Sequence, residues 1–105
     1  PRNLVGGHLV SAFTGVICGE VLGAHIVAAS ALAVSTAIAI MHLTKTLHPP
    51  GGATALVAVI GGEKIRAIGM LYVILPAGLS ALILLVVAVL FNNLISSRKY
   101  PEYWT

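Results

Sequence analysis

Residues 68–95 read IGMLYVILPAGLSALILLVVAVLFNNLI, and no side chain in this run is charged. A helix needs roughly 20 apolar residues to cross the hydrocarbon core of a bilayer, so the run is long enough to span one. Pro76 lies in its interior, where the proline ring removes a backbone hydrogen bond and clashes with the preceding turn. The run therefore predicts a membrane-spanning helix with a kink at Pro76.

Two further apolar runs precede it, at about residues 4–22 and 24–43. In both runs small residues recur at every fourth position; they are Gly7, Ser11, Gly15, Gly19 and Gly23 in the first run and Ala29, Ala33 and Ala37 in the second. Residues with this spacing share one face of a helix, and a small face lets a second helix approach closely. A turn near Gly23 predicts that the two helices are antiparallel neighbours.

The amino-acid composition also indicates a membrane protein. Of the 105 residues, 58% are hydrophobic and only 9% are charged, whereas roughly a quarter of the residues of a soluble domain are charged. The net charge is +3, and the basic residues stand singly or in pairs between the apolar runs, which is typical of residues that flank membrane spans. We therefore expect an all-α, polytopic transmembrane helical bundle in a lipid bilayer, with no nucleic-acid partner.

The stretch HPPGGAT at residues 48–54 interrupts the helical pattern, and only a short apolar run, 55–60, follows it. About ten residues of helix rise about 15 Å, half the thickness of the hydrocarbon core. This predicts a short half-helix or a re-entrant segment after the His-Pro-Pro motif. The whole chain is predicted as one domain, 1–105, with helices at about 4–22, 24–45, 51–61 and 67–96.

The charges leave the path of the short segment open. If the segment is re-entrant, Arg2 and Lys45 share a side of the membrane with the two basic residues of 64–66. If it crosses, they share a side with Arg98 and Lys99 instead. Both arrangements give four basic residues against two, so the positive-inside rule places Arg2 and Lys45 in the cytoplasm in either case.

The stretch 48–54 is also the strongest candidate site. Its prolines prevent the preceding backbone from continuing as a regular helix, and its glycines permit the close approach of another group. The first amides of the next helix lack intrahelical partners. Free amides, the positive end of a helix and an adjacent histidine together suit an anion inside a membrane. The alternative interpretation is a helix break that His48 caps.

A second polar group stands at the start of the first helix. His8 lies one turn inside this apolar helix, where a polar side chain usually faces the interior of the bundle. Arg2 either attracts an anion or only anchors the helix at the interface. The candidate substrate-binding residues are His48, Pro49, Pro50, Gly51, Gly52, Thr54, Arg2, Asn3 and His8.

We expect no enzyme activity, cofactor or metal. The four histidines lack the spacing of zinc ligands and are not accompanied by a cysteine or carboxylate. No nucleophile–base pattern or phosphate-binding loop is present, so no catalytic residue is assigned. Cys18, the single cysteine, lies in an apolar run and is expected to be a small buried residue.

The sequence HPPGGATAL at 48–56 resembles the signature of the HPP family of integral membrane proteins. The resemblance extends to Pro-Arg-Asn at 1–3 with Gly7-His8, and to LFNN at 90–93 with Tyr-Pro at 100–101. Family members usually carry a further apolar region before the Pro-Arg-Asn element, so we expect this chain to be a fragment. The resemblance implies a small multi-span protein of bacterial inner membranes and chloroplasts, and it associates some members with nitrite transport.

The leading hypothesis is a membrane transporter or channel for a small monovalent anion, with nitrite as the first candidate. In this hypothesis His48 and the amides of 51–54 hold the anion, while Arg2 and His8 attract it or relay a proton. The alternative is a non-transporting scaffold or sensor module that assembles through the small-residue helix faces. Those faces also lead us to expect a homo-oligomer.

Overall fold

The computed structural model describes residues 1–95 and 97–105, and every regular element in these two ranges is helical. The elements are α1 (Arg2–Leu22), α2 (Ile26–Leu43), α3 (Pro50–Ile60), α4 (Glu63–Ile68), a π-helical turn (Val73–Gly78) and α5 (Leu79–Leu94). Among the described residues, three helical stretches are long and apolar enough to cross a membrane: Arg2–Leu22, Ile26–Leu43 and Val73–Leu94. The prediction of an all-α transmembrane bundle is confirmed.

The backbones of α1 and α3 pack directly against each other. A Cβ atom added at Gly15 would lie 2.5 Å from the carbonyl oxygen of Ala55 and 2.8 Å from the Cβ of Ala58. These distances are shorter than any carbon contact allows, so only glycine fits at this crossing. The alanine face of α2 is buried in the adjoining core, which consists of Ala29, Ala33, Ala37, Ala55 and Val59. The small faces predicted from the sequence therefore pack within this chain.

The half-helix α3 runs in the same direction as α1. At its start, a Cβ added at Gly51 would lie 2.8 Å from Ser11 Oγ and 3.0 Å from the carbonyl oxygen of Gly7, whereas the end of α3 lies beside Gly19. The segment 44–49 contains no regular helix and leads into the bundle as far as this starting point. From there α3 continues to the end at which α1 finishes, so the segment and the half-helix together complete a crossing.

An arginine at each end of the bundle bonds to a backbone carbonyl of another element. Arg2 donates to the carbonyl oxygen of Thr44 at 2.9 Å. At the opposite end Arg66 donates to the carbonyl oxygen of Gly23 at 3.4 Å. Arg2 and Arg66 thus lie at different ends, as expected if the short segment crosses. The re-entrant alternative does not describe this path.

The single helix predicted over 67–96 is wrong, because the structure divides this region. α4 ends at Ile68, and Gly69 follows with a φ of +52°, a left-handed conformation that suits glycine and stops a helix. The next helical stretch begins at Val73. Within it Leu75 has extended dihedral angles, φ −128° and ψ 120°, because a following proline disfavours helical backbone. The kink predicted at Pro76 is confirmed.

Candidate functional site

Two histidines from different elements meet inside the bundle. The ring centres of His8 on α1 and His48 before α3 lie 5.0 Å apart, with the rings tilted by 60°. Gly7 makes this approach feasible, since a Cβ added there would lie 2.6 Å from the Cβ of His48. The close crossing of α1 with the His-Pro-Pro segment therefore creates the histidine pair.

Thr54 on α3 bonds to one histidine of the pair, and Tyr72 bonds to Thr54. The Nδ1 atom of His8 and the Oγ1 atom of Thr54 are hydrogen-bonded at 2.7 Å. The Tyr72 hydroxyl donates to the carbonyl oxygen of Thr54 at 3.0 Å, and Tyr72 is only 3% exposed. Four residues, His8, His48, Thr54 and Tyr72, thus form one polar cluster within apolar surroundings.

Sequence reasoning missed Tyr72. In the printed sequence it is one aromatic residue in a long apolar run, and nothing in the run indicates its partner. The one available signal is general, because a tyrosine buried among apolar groups usually finds an acceptor for its hydroxyl.

The environment of the pair favours uncharged imidazoles that act through hydrogen bonds. Both imidazoles are partly buried in the bundle, and desolvation disfavours the charged form of such a group. Within the part of the chain that the structure describes, the buried Nε2 atom of His8 has no hydrogen-bond partner. Buried polar atoms are normally paired, so Nε2 is the atom of this cluster that most requires a ligand.

The amides at the start of α3 do not form the predicted anion cradle. The amide of Gly51 donates to the carbonyl oxygen of His48 at 2.8 Å, and that of Gly52 donates to the carbonyl oxygen of Pro49 at 3.0 Å. Pro50 has no amide hydrogen to offer. The expectation that the amides of Gly51 and Gly52 are free is therefore wrong, while anion binding at these residues stays a prediction. The side chains of the cluster are the better candidates.

The other predicted site residues lie outside the cluster. Arg2 and Asn3 are exposed at the start of α1, where they face a surface groove shared with residues 99–103. Pro49 and Pro50 are also exposed. The structure thus brings together His8, His48 and Thr54 of the predicted set and places Arg2 and Asn3 nearer the end of the bundle, about two turns before His8.

The histidines of the described residues are not grouped with further side chains that commonly bind metals. Among residues 1–95 and 97–105, no group of three or more histidine, cysteine, aspartate or glutamate side chains is placed to hold a metal ion. The remaining histidines, His25 and His42, are exposed on other parts of the chain.

The chain matches the sequence profile of the HPP transmembrane region over residues 1–101. It belongs to the HPP family. It is 48% identical over 107 residues to a transmembrane protein of Dictyostelium discoideum, an alignment that covers 99% of this chain and 34% of that protein. A second transmembrane protein of the same organism is 45% identical over 107 residues, covering 99% of this chain and 37% of the relative. No solved structure matches the chain.

This HPP chain thus spans about a third of the length of those curated relatives. In it, the signature at 48–56 is the segment that builds both the cluster and the crossing. His48 supplies one ring of the pair, Thr54 bonds to the other ring, and Ala55 packs against Gly15. The signature therefore combines one residue of the histidine pair, one residue that bonds to the pair, and one residue that permits close packing.

Proposed function

We propose that this HPP protein is a transporter or channel for a small monovalent anion, with nitrite as the first candidate. The observation that supports the proposal is the cluster of His8, His48, Thr54 and Tyr72 inside a strongly apolar bundle. Polar side chains within membrane-spanning bundles are costly and commonly mark a solute or proton pathway. Many transporters also place their sites where a helix is interrupted, as this chain is before α3.

The size of the cluster favours a small solute. Gly7 and Gly51 keep α1 and the start of α3 in backbone contact, so little space is left beside the two rings. A small oxyanion can accept hydrogen bonds from imidazole without needing a large cavity. Arg2 and Lys45 lie at the end of the bundle nearer the pair, and in the proposal they draw anions toward it.

The same charges suggest the orientation. Arg2, Lys45 and Lys99 lie at one end of the bundle, and Lys64 and Arg66 lie at the other. Arg98 adjoins Lys99 in sequence, so the positive-inside rule favours the end that carries Arg2 as cytoplasmic. The relatives of this chain in Dictyostelium extend the family beyond the bacterial inner membranes and chloroplasts that the resemblance implies.

The scaffold hypothesis loses the feature on which it was based. The glycine face of α1 is covered by α3, and the alanine face of α2 is buried in the same bundle. These faces therefore give no reason to expect assembly with a second copy, and the homo-oligomer expected from them is not carried into the proposal.

Flux of nitrite into proteoliposomes tests the proposal. We expect saturable uptake by the chain, measured at neutral pH or above so that little nitrous acid crosses the bilayer unaided. His48→Ala should lower the flux about tenfold, because one favourable contact of the solute is lost. The same measurement on the chain with its native flanking regions guards against an incomplete pathway.

His42→Ala is the matched control, since His42 is exposed on the last turn of α2 and lies outside the cluster. It should leave the flux within about twofold of the unsubstituted chain. Equal flux through His48→Ala and His42→Ala would remove the histidine pair from the mechanism. Absence of nitrite, nitrate and chloride flux from correctly inserted protein would refute anion transport.

A further inference from the structure

The hydroxyl of Thr54 contacts a side chain of another helix, as that of Ser11 does with Met41 Sδ at 3.6 Å. In the part of the chain that the structure describes, four serine and threonine hydroxyls donate instead to the backbone carbonyl four residues earlier: those of Thr14, Ser30, Ser35 and Thr44. Among the described residues, the Thr54 hydroxyl has no such bond, and its one partner is the Nδ1 atom of His8 at 2.7 Å. The proton of this hydroxyl therefore has one acceptor within reach.

We infer that the Thr54 hydroxyl donates to Nδ1 of His8 and thereby fixes the proton of the neutral imidazole on Nε2. A neutral histidine has one donor and one acceptor nitrogen, and the bond at one nitrogen decides the role of the other. In the reverse arrangement Nδ1 would donate, the Thr54 proton would find no acceptor among the described residues, and Nε2 would turn a lone pair toward the anion of the proposed function. When an anion accepts from Nε2, only the arrangement in which Thr54 donates gives both hydrogens an acceptor, and a buried polar hydrogen without one is unfavourable.

This arrangement makes the pocket a hydrogen-bond donor site. The Nε2–H group of His8 is buried without a partner among residues 1–95 and 97–105, and the His48 ring lies beside it. A buried donor calls for an acceptor, which an anion supplies and a cation such as ammonium does not. The inference rests on the proposed function and names the residue that orients its site.

Thr54 is thus a positioning residue that acts through His8. The Tyr72 hydroxyl holds the carbonyl oxygen of the same threonine at 3.0 Å, so Thr54 is anchored both through its backbone and through its side chain. The sequence predicted Thr54 as a substrate-binding residue, whereas this inference gives it no direct contact with the substrate. Thr54 selects the ligand by fixing which nitrogen of His8 carries the proton.

Solid-state NMR of the ¹⁵N-histidine-labelled chain in lipid bilayers tests the assignment, because the nitrogen signals report which atom is protonated. His25→Gln and His42→Gln, both at exposed positions outside the pair, leave only the signals of His8 and His48. His8→Gln in the same background then identifies which of these signals belong to His8. We expect Nε2 protonation of His8 in the unsubstituted chain and in Thr54→Ser. Thr54→Val should abolish this preference, since valine cannot donate to Nδ1.

A proton found on Nδ1 of His8 in the unsubstituted chain would overturn the inference. That spectrum needs no substitution at Thr54, so it decides the matter even if Thr54→Val does not fold.

Anion flux separates the inference from the proposed function. Thr54→Val should lower flux about five- to tenfold, and Thr54→Ser should stay within about twofold, as expected for loss or retention of one hydrogen bond. Nε2 protonation without anion flux in any variant would refute transport and leave the assignment intact. Flux with the proton on Nδ1 would overturn the assignment and leave transport intact, and unchanged flux in Thr54→Val would refute the selective role of Thr54.

Discussion

The seam between α1 and α3 and the outward face of α5 are both apolar, but they are built from residues of different size. The seam consists of glycine and alanine, and its backbones touch at Gly15 and Ala55. On α5 the large side chains remain about half exposed, as for Leu84 at 51% and Leu90 at 58%. Lipid tails are as apolar as leucine, so large side chains gain little by leaving the lipid, whereas small residues permit close helix packing.

This comparison separates two kinds of information in one apolar sequence. Apolar content indicates which stretches lie in the membrane, and residue size indicates which faces meet protein. The seam also encloses polar side chains, because the close backbones around Gly7 bring His8, His48 and Thr54 together.

Gly15→Leu should disrupt the bundle. A Cβ at this position would lie 2.5 Å from the carbonyl oxygen of Ala55 and 2.8 Å from its Cα, and backbone cannot yield as a flexible side chain does. We expect a loss of at least about 3 kcal/mol in the free energy of unfolding, the upper range for overpacking. Thermal unfolding in detergent, followed by far-ultraviolet circular dichroism, measures this loss.

Ser80→Leu is the control for added bulk, because Ser80 is an exposed residue near the start of α5. Its free energy of unfolding should change by less than about 0.5 kcal/mol, as is usual for exposed positions. If Gly15→Leu and Ser80→Leu unfold alike, the seam is not the contact that holds the bundle together.

The seam also shows how far a sequence can predict such a site. The every-fourth spacing of small residues predicted the packing faces, because helical periodicity is a local property. The contact between His8 and His48 joins positions 40 residues apart and depends on α3 running parallel to α1. No local pattern specifies that direction. Tyr72 was missed for the same reason, since its acceptor on Thr54 is brought near by tertiary packing alone.

The amides of Gly51 and Gly52 are not free, contrary to the prediction, and the reason is local. The general rule that the first amides of a helix are free assumes that the preceding turn does not use them. Here the chain turns tightly through Pro49 and Pro50, so the carbonyl oxygens of His48 and Pro49 accept those two hydrogens. The spacing of the residues alone does not reveal this turn. The candidate groups for binding a ligand are therefore side chains and not backbone amides.

Two glycines of the seam region should respond differently to the same small change. A Cβ at Gly7 would lie 2.6 Å from the Cβ of His48, whereas one at Gly52 would meet only Val34, at 3.6 Å. Gly7→Ala should therefore displace His48 and lower nitrite flux about tenfold, with the helical content preserved. Gly52→Ala should keep its flux and gain up to about 1 kcal/mol of stability, because alanine is the better helix former.

Flux and circular dichroism on the two variants side by side provide the measurement. Equal flux through Gly7→Ala and Gly52→Ala would mean that the position of His48 does not matter for transport. A collapse of helical content in Gly7→Ala would instead make Gly7 a packing residue like Gly15.

The smallest effect is expected on α5. Leu84 is 51% exposed and Met41 is fully buried, so Leu84→Ala removes a side chain that faces lipid, and Met41→Ala removes one enclosed by protein. Met41→Ala should cost about 2–5 kcal/mol through the cavity that it leaves. Leu84→Ala should cost less than about 1 kcal/mol, because its environment is apolar before and after unfolding in the membrane. Unfolding by sodium dodecyl sulfate in mixed micelles measures the free energy of unfolding of both variants. Equal losses of stability would mean that α5 packs against protein at Leu84. The seam and the outward face of α5 would then both be protein interfaces.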